Sequence, residues 1–121
     1  MIHKETTQIR SPVHLKLDCV DSFKIENNTA VAYVDAQKLV YPLSVRNWQI
    51  GDKFKPLGMT GFKKLSDLFV DIKLNQFDKK RVSILENGNK EIIWVMNLRL
   101  DERFKVTEST KKIIRIELFG K

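Results

Sequence analysis

Short apolar runs, several of which alternate apolar and polar residues, recur along this chain of 121 residues and constrain its fold most strongly. Alternation with a period of two is typical of a β-strand with one buried face. Asn27-Asn28 and Asn87-Gly88-Asn89 are turn signals, and each predicts a hairpin between the runs that flank it. The predicted strands cover residues 15–20, 29–34, 43–48, 82–85, 92–96 and 113–118. Most of the chain should therefore form antiparallel sheets.

Only one segment has clear helical periodicity. It predicts an amphipathic helix over residues 64–73. The apolar stripe of this helix consists of Leu65, Leu68, Phe69 and Ile72. Asn75, followed three residues later by Asp78, resembles a capping box and predicts a second short helix. The predicted fold class is α+β, with mostly antiparallel sheets or a partly open barrel, one or two short helices, and a single domain over residues 1–121.

Residues 51–73 combine three glycines, one proline and five lysines. Gly51, Gly58 and Gly61 permit backbone angles that other residues resist. Pro56 fixes its own φ angle. A loop constrained in this way holds its lysines at set positions, which a phosphate-binding surface requires and a plain connector does not.

The net charge of +7 is concentrated in part of the chain. Residues 1–45 balance five basic groups with five acidic ones, whereas residues 46–81 carry nine basic and four acidic groups. A local basic excess attracts polyanions, because each neutralised phosphate releases counterions. A solvated lysine face that keeps the protein soluble explains the charge equally well.

The sequence contains no P-loop, GxGxxG, HExxH, CxxC or GxSxG motif. Asp67 and Asp71 share a helix face, and the neighbouring lysines favour a salt-bridged surface there over a metal site. Cys19 is expected to be buried, and His3 and His14 to be surface or packing residues. No apolar run is long enough for a membrane span, and a single cysteine fits a reducing cytoplasm. The chain alone is expected to be non-catalytic, without a cofactor or metal of its own.

The aromatic residues divide into core and surface candidates. Trp94 lies in an almost wholly apolar strand and is assigned to the core, while Phe54 and Phe104 are expected to anchor their basic neighbours. Phe62 lies at a predicted loop tip. It is the best candidate for an exposed aromatic contact, since an exposed ring can stack on a nucleobase.

Two ordered series of residues then form a recognisable signature. The first comprises Arg46, Gly51-Asp52-Lys53-Phe54, Pro56-Leu57-Gly58-Met59, Gly61, Lys63-Lys64-Leu65-Ser66-Asp67, Phe69, Asp71 and Lys73, and the second comprises Trp94-Val95, Arg99 and Arg103-Phe104-Lys105-Val106-Thr107. Together they resemble the C-terminal domain of the tRNA(Ile)-lysidine synthetase family, most strongly over residues 39–107.

Three positions depart from the family pattern. Asn97 stands where the family commonly has glycine, and asparagine tolerates a left-handed backbone. Leu74-Asn75 replaces a common proline after the helix. Lys53 replaces the usual arginine, which keeps the charge but loses the bidentate fork.

The resemblance implies a place in a larger ligase. Enzymes of this family attach lysine to the wobble cytidine of tRNA(Ile) through an ATP-dependent adenylated intermediate, and the ATP and Mg chemistry belongs to an N-terminal PP-loop domain. The resemblance therefore implies a domain that helps to grip tRNA(Ile) beside the N-terminal domain of the same polypeptide, in the cytoplasm. The resemblance also implies that this C-terminal domain is related to a domain in the β subunit of phenylalanyl-tRNA synthetase.

The basic residues and the resemblance together predict an RNA-facing surface whose contacts go mainly to phosphates. Its predicted residues are Arg46, Lys53, Lys55, Lys63, Lys64, Lys73, Arg81, Arg99 and Arg103. For Arg99 and Arg103, pairing with Asp101 and Glu102 is an equally good explanation. Two further functions stay open at this point. One is a protein-interaction or homodimerisation module with an exposed apolar strand face, and the other is a small enzyme with a metal on the helix-face aspartates.

Overall fold

The computed structural model describes residues 1–119, which contain ten strands and two short α-helices. In chain order the strands are β1 (Gln8–Ile9), β2 (His14–Val20), β3 (Val31–Asp35), β4 (Ser44–Asn47), β5 (Lys53–Phe54), β6 (Lys63–Lys64), β7 (Ser83–Glu86), β8 (Ile92–Val95), β9 (Arg99–Leu100) and β10 (Ile113–Phe119). The helices α1 (Leu65–Asp71) and α2 (Gln76–Lys79) lie between β6 and β7, and 3-10 turns cover Ala36–Lys38 and Glu102–Phe104. The predicted α+β class with antiparallel sheets is confirmed, and the strands group into separate sheets.

The first sheet has the strand order β1-β2-β10-β3, and all neighbours are antiparallel. Because β10 lies between β2 and β3, the hairpin predicted on Asn27-Asn28 is wrong. Ile116 of β10 is opposite Leu17 on one side and Ala32 on the other, and all three are buried. A local turn signal cannot reveal this arrangement, since the inserted strand comes from the opposite end of the chain.

The second sheet, with the order β4-β7-β8-β9, is covered on both faces. Its β7–β8 hairpin is the second predicted one, and it is confirmed. The paired residues Leu85 and Trp94 face a core cluster that the two sheets share, and Trp94 is buried as predicted. The paired residues Ile84 and Val95 face a second cluster, which α1 covers.

Both helices form where local signals predict them, but α1 ends at Asp71, two residues before the predicted end at Lys73. Three residues of the predicted stripe of α1 are buried: Leu65, Leu68 and Phe69. Ile72 is instead the C-cap and is exposed, because the helix has already ended and Lys73 adopts a positive φ of 56°. Before α2, the side chain of Asn75 accepts a hydrogen bond of 2.8 Å from the Asp78 N–H, as the predicted capping box requires. Neither helix within residues 1–119 is long and apolar enough to cross a bilayer.

Cys19, which was expected in the core, is exposed. Strand alternation places it on the same face of β2 as Leu15 and Leu17, and these two belong to the shared core cluster. Cys19 lies beyond the end of that cluster. Alternation therefore predicts the face of a residue correctly, whereas the extent of the core decides whether that residue is buried.

Candidate nucleic-acid interface

A two-stranded ribbon of β5 and β6 presents the lysine-rich segment. In this ribbon Lys53 is opposite Lys64, and Phe54 is opposite Lys63. Phe54 is fully buried in the cluster beneath α1, as the anchoring role predicted for it requires. Because successive strand residues point to opposite faces, the outer face of the ribbon carries Lys53 and Lys64. Two like charges directly opposite each other are unfavourable without a counter-anion.

An exposed aromatic ring gathers three cations beside this ribbon. Phe62 is 52% exposed, which confirms the exposure predicted for it. Its ring centroid lies 5.3 Å from Lys53 Nζ, 5.1 Å from Lys55 Nζ and 5.2 Å from Arg103 Cζ. These distances are within the range of cation–π attraction. We call this group the Phe62 cluster, which consists of Phe62, Lys53, Lys55 and Arg103.

Asp101 fixes this cluster from the protein interior. Its carboxylate is fully buried and accepts hydrogen bonds from the Lys55 backbone N–H at 2.9 Å and from two guanidinium nitrogens of Arg103 at 3.0 Å each. Glu91 accepts from the third nitrogen of Arg103 at 2.9 Å. Hydrogen bonding to Asp101 raises the pKa of Arg103, so the guanidinium stays charged. The pairing with Asp101 considered from the sequence is present, and RNA contact by Arg103 stays a prediction.

The two lysines of the cluster differ from Arg103 in their counter-charges. Arg103 contacts two carboxylates, whereas neither Lys53 nor Lys55 makes an ion pair within residues 1–119. The ring and the ribbon therefore hold two positive charges that the described part of the chain does not neutralise. Such a surface raises the local concentration of phosphate groups.

Arg46, by contrast, fastens a turn to the second sheet. Its guanidinium donates to both carboxylate oxygens of Asp52 at 3.0 Å and to Glu86 at 3.2 Å. Hydrogen bonding to Asp52 raises the pKa of Arg46. Burial opposes ionisation of Asp52, but hydrogen bonds from Arg46 and from the Gln49 N–H outweigh it and hold the pKa of Asp52 below its ordinary value. The RNA contact predicted for Arg46 stays a prediction.

Two more of the predicted cations, Lys63 and Arg99, contact polar groups of the protein itself. Lys63 forms an ion pair with Asp71, which is the salt-bridged helix face that the sequence favoured. Within residues 1–119 there is no group of three or more side chains that could hold a metal ion. Arg99 donates to the backbone carbonyl of Leu57 at 2.6 Å and so fastens the loop before Gly58 to β9.

The remaining predicted cations, Lys64, Lys73 and Arg81, are exposed and make no ion pair within the described residues. Arg81 is not in contact with Phe62. Its Cζ atom lies 5.2 Å from the ring centroid of a second exposed aromatic residue, Phe77. It also lines a cleft of about 800 Å³ together with Arg10 and Lys80. Sequence reasoning missed Arg10 and Lys80. Arg10 has no basic neighbour in the sequence, and Lys80 lies in the basic run Lys79-Lys80-Arg81, which does not show which of its side chains faces a cleft.

Two of the three glycines in the segment are required by the backbone. Gly51 has a φ of 98° and Gly58 a φ of 86°, a conformation that residues with a Cβ atom rarely adopt. The Gly58 N–H also donates to the Glu102 carboxylate at 2.8 Å. Gly61 does not have a positive φ, so it does not use the backbone freedom that the sequence permits at this position. Asn97, in place of a family glycine, has a φ of 63°, as predicted.

Comparison with known proteins identifies relatives that match most of the chain. A family model described as the TilS substrate C-terminal domain matches residues 43–118. The tRNA(Ile)-lysidine synthase of Parabacteroides distasonis is 44% identical over 105 residues, which are 87% of this chain and 24% of that protein. The same enzyme of Bacteroides thetaiotaomicron is 41% identical over 76% of this chain and 21% of the relative. The chain thus spans about a quarter or less of the length of these relatives.

Two solved structures share the fold. A crystal structure of a TilS C-terminal domain superimposes with a TM-score of 0.76 at 21% identity, over 88% of this chain and 83% of that one. An N-terminal fragment of the phenylalanyl-tRNA synthetase β subunit from Pyrococcus horikoshii superimposes with a TM-score of 0.63 at 18% identity, over 75% of this chain and 28% of that one. At these identities the likeness establishes the architecture, and it agrees with the fold that the sequence signature implied.

Proposed function

The chain belongs to the TilS substrate C-terminal domain family, and from this premise we propose that it is the tRNA-binding C-terminal domain of a tRNA(Ile)-lysidine synthase. In this role it positions tRNA(Ile) while a separate domain of the same polypeptide ligates lysine to the wobble cytidine. ATP and magnesium would be bound by that other domain, and the present domain contributes no catalytic group.

The Phe62 cluster is the observation that carries this proposal. It combines two lysines without carboxylate partners in residues 1–119 with an exposed ring, and the buried carboxylate of Asp101 holds its backbone in place. Lysines position an RNA through its phosphates, and aromatic rings stack on unpaired bases. A rigid ribbon loses little conformational freedom when it meets a folded RNA, which favours binding.

The strand faces argue against dimerisation through a sheet. The outer face of β10 carries Arg115 and Glu117, whose side chains are 2.8 Å apart, and Arg115 also pairs with Glu26. The outer face of β2 carries the exposed Lys16 and the partly exposed Asp18. A dimer that forms through either strand face would need an apolar surface at these positions.

Charge reversal at the Phe62 cluster tests the proposal. The test variant is Lys53→Glu/Lys55→Glu, and the matched control is Lys111→Glu/Lys112→Glu, which makes the same charge change at exposed positions that contact neither Phe62 nor the cleft. Binding of tRNA(Ile) is followed by fluorescence anisotropy over a series of salt concentrations, and thermal melting checks that both variants are folded.

The expected result is a change in the salt dependence. For six phosphate contacts the log–log slope of the wild type is roughly −4 to −5, and loss of two contacts makes it less negative by roughly 1.4–1.8. The control should keep the wild-type slope. Equal slopes for both double variants, or no tRNA binding by the wild type, would overturn the proposal.

A further inference from the structure

A cleft at one end of the two sheets has features that the proposed tRNA-binding surface does not use. It has a volume of about 800 Å³ and is lined by residues of β2, β10 and the segment after α2. Its lining shares no residue with the Phe62 cluster. A concave site of this size is in the range that binds small molecules or single groups of a larger ligand.

The charge of the cleft is positive. Arg10, Lys80 and Arg81 line it, and none of them makes an ion pair within residues 1–119. Among residues 1–119, the one carboxylate in its lining belongs to Asp78, which accepts a hydrogen bond of 3.1 Å from the Asn75 amide. Three cations from two separate parts of the chain therefore converge on one concavity, where low-dielectric walls concentrate their field.

The same cleft offers an aromatic wall. His14 and Phe119 lie on neighbouring strands, opposite each other in register, and their ring centroids are 5.1 Å apart with an interplanar angle of 38°. Both rings line the cleft, together with Leu74 and Leu98. Flat aromatic and aliphatic surfaces of this kind accept the face of a nucleobase.

Two amide side chains in the lining offer one hydrogen-bond acceptor and one hydrogen-bond donor. Asn47 uses its amide nitrogen to donate to the Lys80 carbonyl at 3.1 Å, and its own side-chain oxygen has no partner within residues 1–119. Asn97 uses its side-chain oxygen to accept from the Thr29 hydroxyl at 2.8 Å, which leaves its amide nitrogen available within the same residues. One free acceptor and one free donor in the same lining match the edge of a base, which carries both kinds of group.

From these features we propose that the cleft binds one unpaired nucleotide of an RNA. Arg10, Lys80 and Arg81 hold its phosphate, and its base lies beside the rings of His14 and Phe119. This proposal rests on the proposed function, because RNA binding is what brings a nucleotide to the cleft. The Phe62 cluster and the cleft then make two contacts with one RNA, and the second contact gains from the high local concentration that the first creates.

Binding of two RNAs that differ only in an unpaired extension measures the two contacts separately. One is a blunt duplex and the other is the same duplex with a short unpaired extension. The wild type should bind the extended RNA more tightly by roughly 5- to 100-fold. In Arg10→Glu/Lys80→Glu the ratio of the two affinities should fall to about one, whereas Lys53→Glu/Lys55→Glu should weaken both RNAs and keep the ratio. The control Lys111→Glu/Lys112→Glu should retain the wild-type ratio.

Free ligands distinguish a nucleotide site from a simple anion site. Nucleoside monophosphates, inorganic phosphate and an acidic peptide are titrated separately, and amide chemical shifts are followed by NMR at Asn47, Asn97 and Leu98. Monophosphates should shift these amides at lower concentration than inorganic phosphate does. Equal responses to phosphate, or a stronger response to the acidic peptide, would overturn the nucleotide proposal. So would an affinity ratio that is unchanged in Arg10→Glu/Lys80→Glu. Because this titration needs no intact RNA, it also judges the cleft if the tRNA-binding proposal fails.

Discussion

The outer face of the first sheet and the Phe62 cluster are two charged surfaces that differ in how far their cations are neutralised by carboxylates. On the sheet, Arg115 donates to Glu26 at 3.0 and 3.2 Å and to Glu117 at 2.8 Å, so its charge is neutralised within the fold. In the Phe62 cluster, Lys53 and Lys55 lie against an exposed ring and have no carboxylate partner within residues 1–119. The comparison shows that neutralisation, more than the number of cations, separates a surface that supports the fold from one suited to a polyanion.

The choice between arginine and lysine follows the same division. Arg46 and Arg103 each form a two-pronged contact with an aspartate, a geometry that the planar guanidinium fork favours. The ammonium groups of Lys53 and Lys55 are compact, mobile point charges that can follow a phosphate. The nine cations predicted from the sequence thus contain both structural residues and candidates for contact.

The largest expected effect concerns the buried carboxylate that holds the Phe62 cluster. Asp101→Ala leaves the Lys55 N–H without its acceptor and leaves Glu91 as the only carboxylate that contacts Arg103 within residues 1–119. The loss of these hydrogen bonds should cost about 3 kcal/mol of stability. Chemical denaturation measures the loss. Asp71→Ala, which removes the exposed partner of Lys63, should cost at most about 1 kcal/mol. Equal losses of unfolding free energy in the two variants would show that burial of the carboxylate does not determine how much each ion pair stabilises the fold.

The next effect concerns the binding surface itself. Phe62→Ala should weaken tRNA binding by about 1–3 kcal/mol if the ring stacks on a base. The stability of the fold should change by no more than about 0.5 kcal/mol, since the side chain is exposed. Phe62→Tyr keeps the ring and should bind like the wild type. If Phe62→Ala bound tRNA with wild-type affinity, the ring would not stack on a base and would only position the lysines.

A smaller effect tests the backbone that carries the cluster. Gly58→Ala places a Cβ atom on a residue with a φ of 86° and should cost about 1–2 kcal/mol of stability. Gly61→Ala is the matched control in the same loop, because its backbone is not in the left-handed region and nothing lies within 4 Å of the added atom. Similar melting temperatures for the two variants would contradict the assignment of strain to Gly58.

Local signals predicted the parts of the fold that local interactions determine. The capping of α2 by Asn75 and the β7–β8 hairpin follow from neighbouring residues, and the structure confirms both. The insertion of β10 into the first sheet depends on pairing between distant segments, and no turn signal records it. Strand alternation likewise predicts the face on which Cys19 lies but not its exposure, which the extent of the core decides.

The candidate site shows the same limit. The sequence indicated the lysines of residues 51–73 and the exposure of Phe62, because glycines, lysines and a loop-tip aromatic are visible along the chain. The convergence of Arg103 on the same ring requires β9 and the following 3-10 turn to lie beside the ribbon, which the Pro56–Asp101 bridge achieves. Of the cleft's three cations, the sequence indicated only Arg81, because the convergence of Arg10 and Lys80 on the same concavity depends on the packing of distant segments.

The smallest effect tests the neutralised surface through its pH dependence. Hydrogen bonds from Arg115 and then from Tyr33 hold the pKa of Glu26 at about 2, against an ordinary value of 4.5. Because the folded pKa is depressed, this carboxylate stabilises the fold fully above about pH 4.5, and the contribution fades as the pH falls toward 2. Glu26→Gln should therefore melt below the wild type at pH 5, and the difference should shrink at pH 3. Glu108→Gln, at an exposed position without an ion pair in the described residues, should show no such convergence. A constant difference between Glu26→Gln and the wild type would mean that lost packing, and not lost charge, explains the effect.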